Sequence, residues 1–195
     1  MTIINKFRQV VMHLRIKSLN INKKAKVQLA KSIRLDKGSK VYAYPDTSII
    51  IGENVYLRSD PNGYHTGMPF PTTVIADKQG ASIIIGDNCR LNGVYVHAQS
   101  AISIGANCVI AAGVNIIDSN GHQVVSFNRT NGRDDPQPIK IGNNVWIGMN
   151  SIILKGTEIG DNCVIAAGTV VKGVFPKNKL IHNQSVVYDD IQGLT

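Results

Sequence analysis

Between residues 141 and 170 the chain reads IGNNVWIGMNSIILKGTEIGDNCVIAAGTV, and Ile141, Ile147, Ile153, Ile159, Ile165 and Val171 return every six residues. A six-residue period fits neither the 3.6-residue turn of an α-helix nor the two-residue alternation of a plain strand. Counting each unit from its aliphatic residue, the fourth position is Asn144, Asn150, Gly156, Asn162 and Gly168. Gly and Asn are the residues that most readily take left-handed backbone angles, so this position predicts a tight corner. The fifth position is Val145, Ser151, Thr157, Cys163 and Thr169, all small or β-branched. The unit is therefore a short strand, a corner and another short strand.

Earlier segments keep the same register: IGENVY from Ile51, IGDNCR from Ile85, IGANCV from Ile104 and IAAGVN from Ile110. The "IG.N" signature recurs after 18 residues between 141 and 159, and after 19 between 85 and 104. Three units per turn make a triangular coil with one parallel strand per side, and successive coils stack at the inter-strand distance of ~4.8 Å. The architecture expected is an all-β solenoid. Cys89, Cys108 and Cys163 all fall at the small, inward fifth position, where a thiol acts as a compact hydrophobe. They are odd in number and lack metal-type spacing, so neither a disulfide framework nor a zinc site is indicated.

Interruptions of a solenoid map to loops, often on its binding face. Two are long. Residues 58–80 contain three prolines and are expected to leave the coil. Residues 117–139 leave it after Ile116 and carry His122 four residues beyond Asp118. Histidine is the natural base for removing a hydroxyl proton near neutral pH. His13, His65, His97 and His182 have no comparable context, and surface or packing roles are expected for them. Trp146, the sole tryptophan, holds the sixth position of its unit, directly after an inward residue, so alternation turns it outward. Exposed aromatics of this size mark contact surfaces.

These motifs resemble the hexapeptide-repeat acetyltransferase family, in particular its sugar and capsular polysaccharide O-acetyltransferase branch. The likeness covers roughly residues 40–175. It implies a left-handed parallel β-helix, the opposite hand to the general rule for parallel crossovers. It also implies a homotrimer with sites between subunits and acetyl-CoA as acetyl donor. Residue by residue, His122 in its "D..GH" context matches the family's histidine base, and Trp146 in NNVWIG matches an active-site wall. Gly148, Met149, Ala167 and Lys172 match positions along the coenzyme A binding surface, with the Met149 N–H a donor to the thioester oxyanion. Asn92 falls near the acceptor cleft. Asp118, Asp134 and Asp135 are alternative residues for orienting His122. The chain departs from the family at FPKNKLIHNQSVVYDDI, where members commonly carry a string like VAAGVPAK.

The expected organisation is an N-terminal capping segment over 1–24, a left-handed β-helix over 25–175 and a tail over 176–195. Apolar residues at Ile3, Ile4, Phe7, Val10, Val11 and Leu14 give the N-terminal segment a helical face. Such a helix covers an exposed solenoid end, or lies on an anionic membrane. No stretch approaches a membrane span and no signal-peptide pattern is present, so a cytoplasmic location is expected. The formal charge of +8 favours anionic partners. No nucleic-acid-binding motif accompanies it. A surface-glycan acceptor, an acidic polymer such as polysialic acid among them, is expected. Small sugars, antibiotics and a non-catalytic binding solenoid are the alternatives.

Overall fold

The computed structural model describes residues 19–124 and 127–183. Every described element is a strand, and the strands fall into three parallel sheets of seven, each sheet taking every third strand in chain order. The first sheet runs from Asn20–Ile21 to Val170–Val171, the second from Lys26–Leu29 to Val174–Phe175, and the third from Arg34–Leu35 to Leu180–Ile181. Three sheets visited in strict rotation are the sides of the triangular coil that the hexapeptide period predicts. The coil is a left-handed parallel β-helix.

The register explains the period. Ile85, Ile104, Ile141 and Ile159 pair in one column along the second sheet, each at most 3% exposed. The fifth positions Cys89, Cys108, Val145 and Cys163 are equally buried, so each corner fills the core with one large and one small side chain. The fourth positions turn left-handed as expected, with φ of 56° at Asn54, 60° at Asn88, 53° at Asn144 and 58° at Asn162. Their side-chain amides also bond from coil to coil, Asn144 Nδ2 donating to Asn162 Oδ1 at 2.9 Å and Asn162 Nδ2 to Asn178 Oδ1 at 3.1 Å. The glycine of "IG.N" has a different cause. A Cβ on Gly105 would stand 2.6 Å from the backbone of Gly142 one coil above, and one on Gly160 would stand 2.5 Å from the Lys177 nitrogen. Close stacking of the corners excludes any side chain there.

Two expectations are corrected. Strand pairing starts at Asn20 and ends at Ile181, so the coil extends past both expected boundaries, into the capping segment and the tail. The first loop is shorter than 58–80. Thr73–Ala76 is a full rung, pairing with Lys40–Ala43 on one side and Tyr95–Ala98 on the other. The prolines end at Pro71, and the TVIA that follows alternates well enough to rejoin the sheet. The nineteen-residue step from Ile85 to Ile104 divides unevenly: Leu91 to Val96 is one residue short, with Gly93 at the corner, and the next side is longer. The proposed N-terminal helix lies outside the described residues. Among the described residues no helix is long and apolar enough to cross a membrane.

Candidate functional site

The third sheet presents one outward residue per coil, and pairing stacks them in a single column: Arg34, Tyr56, Arg90, Val109, Trp146, Val164 and Leu180. Tyr56, Arg90, Val109, Trp146 and Val164 each hold the sixth position of a hexapeptide, just after a buried Val or Cys. All seven line a cavity of about 1120 Å³ on this face, which the Gly63–Thr66 part of the first loop walls on one side. The column changes character along its length. Toward the N-terminal end it is cationic and aromatic; from Val109 onward it is apolar, and Gly148, Ala166 and Ala167 beside it leave a smooth floor.

Of the residues singled out in the sequence, Asn92, Trp146, Gly148, Met149 and Ala167 converge on this cavity. Trp146 is 55% exposed, as strand alternation requires. Gly148 is there because a Cβ would meet the Ala167 nitrogen at 2.5 Å. Asn92 is buried at the shortened corner and its Nδ2 donates to the Ile110 carbonyl at 2.9 Å. Lys172 is exposed and lies off the cavity wall.

His122 stands exposed in the second loop, and it too is off the cavity wall of its own chain. Of the aspartates considered as its partners, Asp118 and Asp134 make other contacts. Asp118 is fully buried, its carboxylate oxygens accepting the backbone N–H groups of Gln99 at 2.8 Å and Ser100 at 2.7 Å. Burial pushes its carboxyl above the usual range against the pull of those N–H groups. Asp134 bonds Lys155 Nζ at 2.6 Å and accepts the Asn120 N–H at 2.8 Å. Burial works against its charge, but the ammonium and the N–H groups outweigh it and hold this carboxyl below the usual range. Lys155 also donates to the Asp135 carbonyl at 2.9 Å. These aspartates build the foot of the loop. Asp118 has this structural role because a fully buried carboxylate needs donors and finds them in the adjacent backbone.

His97 faces outward on the first sheet, its Nε2 2.9 Å from Asp77 Oδ2 in a close contact not aligned as a hydrogen bond, with Tyr95 edge-on at 5.9 Å. Burial raises the Tyr95 hydroxyl, and the Asp77 charge adds to it. Sequence reasoning missed the arginines of the column and His65, which lines the cavity from the first loop. The signal for Arg90 and Tyr56 was available: both hold the same sixth position as Trp146 in an "IG.N" unit.

Comparison with known proteins finds the same repeats and the same coil. The bacterial transferase hexapeptide model (six repeats) matches residues 138–173, and the hexapeptide repeat of succinyl-transferase matches 82–117. Galactoside O-acetyltransferase of Escherichia coli (strain K12) is 41% identical over 100 residues, which cover 51% of this chain and 49% of that protein. The putative lipopolysaccharide biosynthesis O-acetyl transferase WbbJ of the same strain is 34% identical over 112 residues, covering 51% and 55%. The chain spans about half the length of the curated relatives it matches. Among solved structures, the polySia specific acetyltransferase NeuO superposes with a TM-score of 0.58 at 22% identity over 90% of both chains, a likeness of fold. In its repeats and its coil, the chain is similar to the hexapeptide-repeat, left-handed β-helix acetyltransferases.

Proposed function

We propose that the protein is an acetyl-CoA-dependent O-acetyltransferase acting on a hydroxyl of a surface glycan. The observation that carries this reading is the cavity on the third sheet. It gathers Trp146, Gly148, Met149 and Ala167, four residues picked from the family motif, along a smooth floor that suits a thin flexible pantetheine arm. In the reaction the acceptor oxygen attacks the thioester carbonyl and its proton passes to the His122 imidazole. The C–S bond then breaks, and the imidazolium returns the proton to the departing thiolate. The N–H of Met149 is the candidate donor to the oxyanion. The three cysteines are buried in the core, so direct transfer is favoured over an acyl-enzyme. Peripheral contact with a membrane that carries the glycan, from a cytoplasmic location, is compatible with this reading.

His122 and Trp146 stand apart within one chain, so the reading requires a second copy to bring its loop to this cavity, as in a homotrimer with shared sites. Complementation tests this: chains carrying His122→Ala and Trp146→Ala, each inactive alone, are expected to recover part of the activity when co-assembled. His65 supports a second reading, a base from the same chain, because it lines the cavity. Turnover of acetyl-CoA over an acceptor panel separates the two. With His122 as base, His122→Ala loses about 10²–10⁴-fold in turnover and keeps its coenzyme affinity, while His65→Ala loses little. The reverse pattern assigns the base to His65.

A further inference from the structure

The N-terminal half of the cavity is built unlike the half proposed for the coenzyme. Arg34 and Arg90 occupy the same column two strands apart, which places their Cα atoms about 10 Å from each other. Between them sits Tyr56, and the Arg34 guanidinium lies 4.3 Å from the centre of its ring, a stacked contact that restrains the cation. The Tyr56 hydroxyl donates to both oxygens of Asp36, at 2.9 and 3.0 Å, and Asp36 also accepts the N–H groups of Ser59 and Asp60. The nearby carboxylate is thereby taken up by the ring and the loop. Arg58 holds the loop through the carbonyls of Asp60 and Asn62. Among the described residues no carboxylate forms an ion pair with Arg34 or Arg90, and no acidic side chain lines the cavity.

A wall of cations with no ion-pair partner among the described residues attracts an anion. Resting on the transferase reading, we infer that Arg34 and Arg90 bind carboxylate groups of an acidic glycan acceptor and so select it over neutral sugars. Guanidinium matches carboxylate in plane and can engage both oxygens, which a lysine ammonium cannot do. Two such groups in one column suit a chain bearing more than one acid. The phosphates of coenzyme A are the other anions available. At the opposite end Lys177 and Lys179, exposed just before the last rung at Leu180, offer those phosphates a separate place.

The test uses the full chain and two binding measurements that need no turnover. Trp146, the only tryptophan, reports occupancy of the cavity by fluorescence. A short polysialic acid oligomer, a uronic acid oligomer and a neutral glucan oligomer are titrated against the wild type, Arg34→Gln and Arg90→Gln; coenzyme A is titrated separately. Expected are acid-selective binding by the wild type, a loss of about 10-fold or more for the acidic oligomers in each variant, and unchanged coenzyme affinity. Weakened coenzyme binding with acidic binding intact would assign the arginines to the phosphates and overturn the inference. Equal binding of neutral and acidic oligomers overturns it too. Acid-selective, arginine-dependent binding without acetyl transfer in the wild type would keep this inference and sink the transferase reading.

Discussion

At the scale of single residues, the hexapeptide is a record of backbone angles and stacking distances. Asn162 shows both, with a φ of 58° and an amide that bonds the coils above and below. Substituting Gly removes the amide but accepts the angle; Ala removes the amide and adds the cost of a Cβ in left-handed backbone, about 1–2 kcal/mol. Asn162→Ala is therefore expected to unfold at lower urea than Asn162→Gly by roughly that free energy, and equal midpoints would show that the corner is not held in this angle. These corners were legible because left-handed preference is local to one residue. The role of Arg34 and Arg90 as one wall was not, although Arg90 shares the sixth position of an "IG.N" unit with Trp146. One hexapeptide alone makes an outward arginine look like ordinary solvated surface, and only pairing across seven coils gathers such positions into one wall.

At the scale of elements, the second loop is held at its foot. Asp134, on the returning limb, grips the Asn120 N–H on the outgoing limb and Lys155 on the coil, while the Gly156 N–H donates to the Gln137 carbonyl at 3.2 Å. The Asp134–Lys155 pair is nearly closed to water, with side-chain exposures of 6% and 15%. Lys155→Met leaves a buried carboxylate unpaired, which costs about 3–5 kcal/mol where the surroundings cannot relax. Amide exchange along 118–138 is expected to accelerate in that variant, and proposed turnover to fall with coenzyme affinity retained; exchange at the wild-type rate would refute the anchoring. The pH dependence has a definite sign. Asp134 is held below the usual carboxylate range, so the unfolded chain takes up its proton first as pH falls. Its stabilisation is whole above about pH 4 and is lost as pH drops through the folded value. Asp118 is pushed up by burial and acts in the opposite sense: its share is present in acid and lost as pH rises through the carboxylate range. Acid unfolding of Asp134→Asn is accordingly expected to be less steep below pH 4 than that of the wild type. The loop was legible as a break in the period. Its anchoring was not, since Lys155 and Asp134 are 21 residues apart and meet only because the coil turns between them.

For the whole molecule, a net charge of +8 sets the range over which an acidic chain feels the protein. Screening shortens that range from ~30 Å at 0.01 M salt to ~8 Å at 0.15 M. Apparent affinity for a polyanionic acceptor is expected to fall several-fold across that interval while that for a neutral sugar stays level, and a flat response for the polyanion would move preference to a neutral acceptor. The long-range order has one more consequence. The Gln137 N–H donates to the Asp118 carbonyl at 2.9 Å, so the second loop leaves and returns at nearly the same point, and the strands Asn115–Ile117 and Ile139–Ile141 keep their pairing on either side. Doubling the length of chain between such pinned ends costs only about 0.6 kcal/mol. The loop is thus a cassette. Between its anchored feet at Asn120 and Asp134 its sequence and length are open to exchange while every rung keeps its partner, so that stretch can change without renegotiating the stability of the coil.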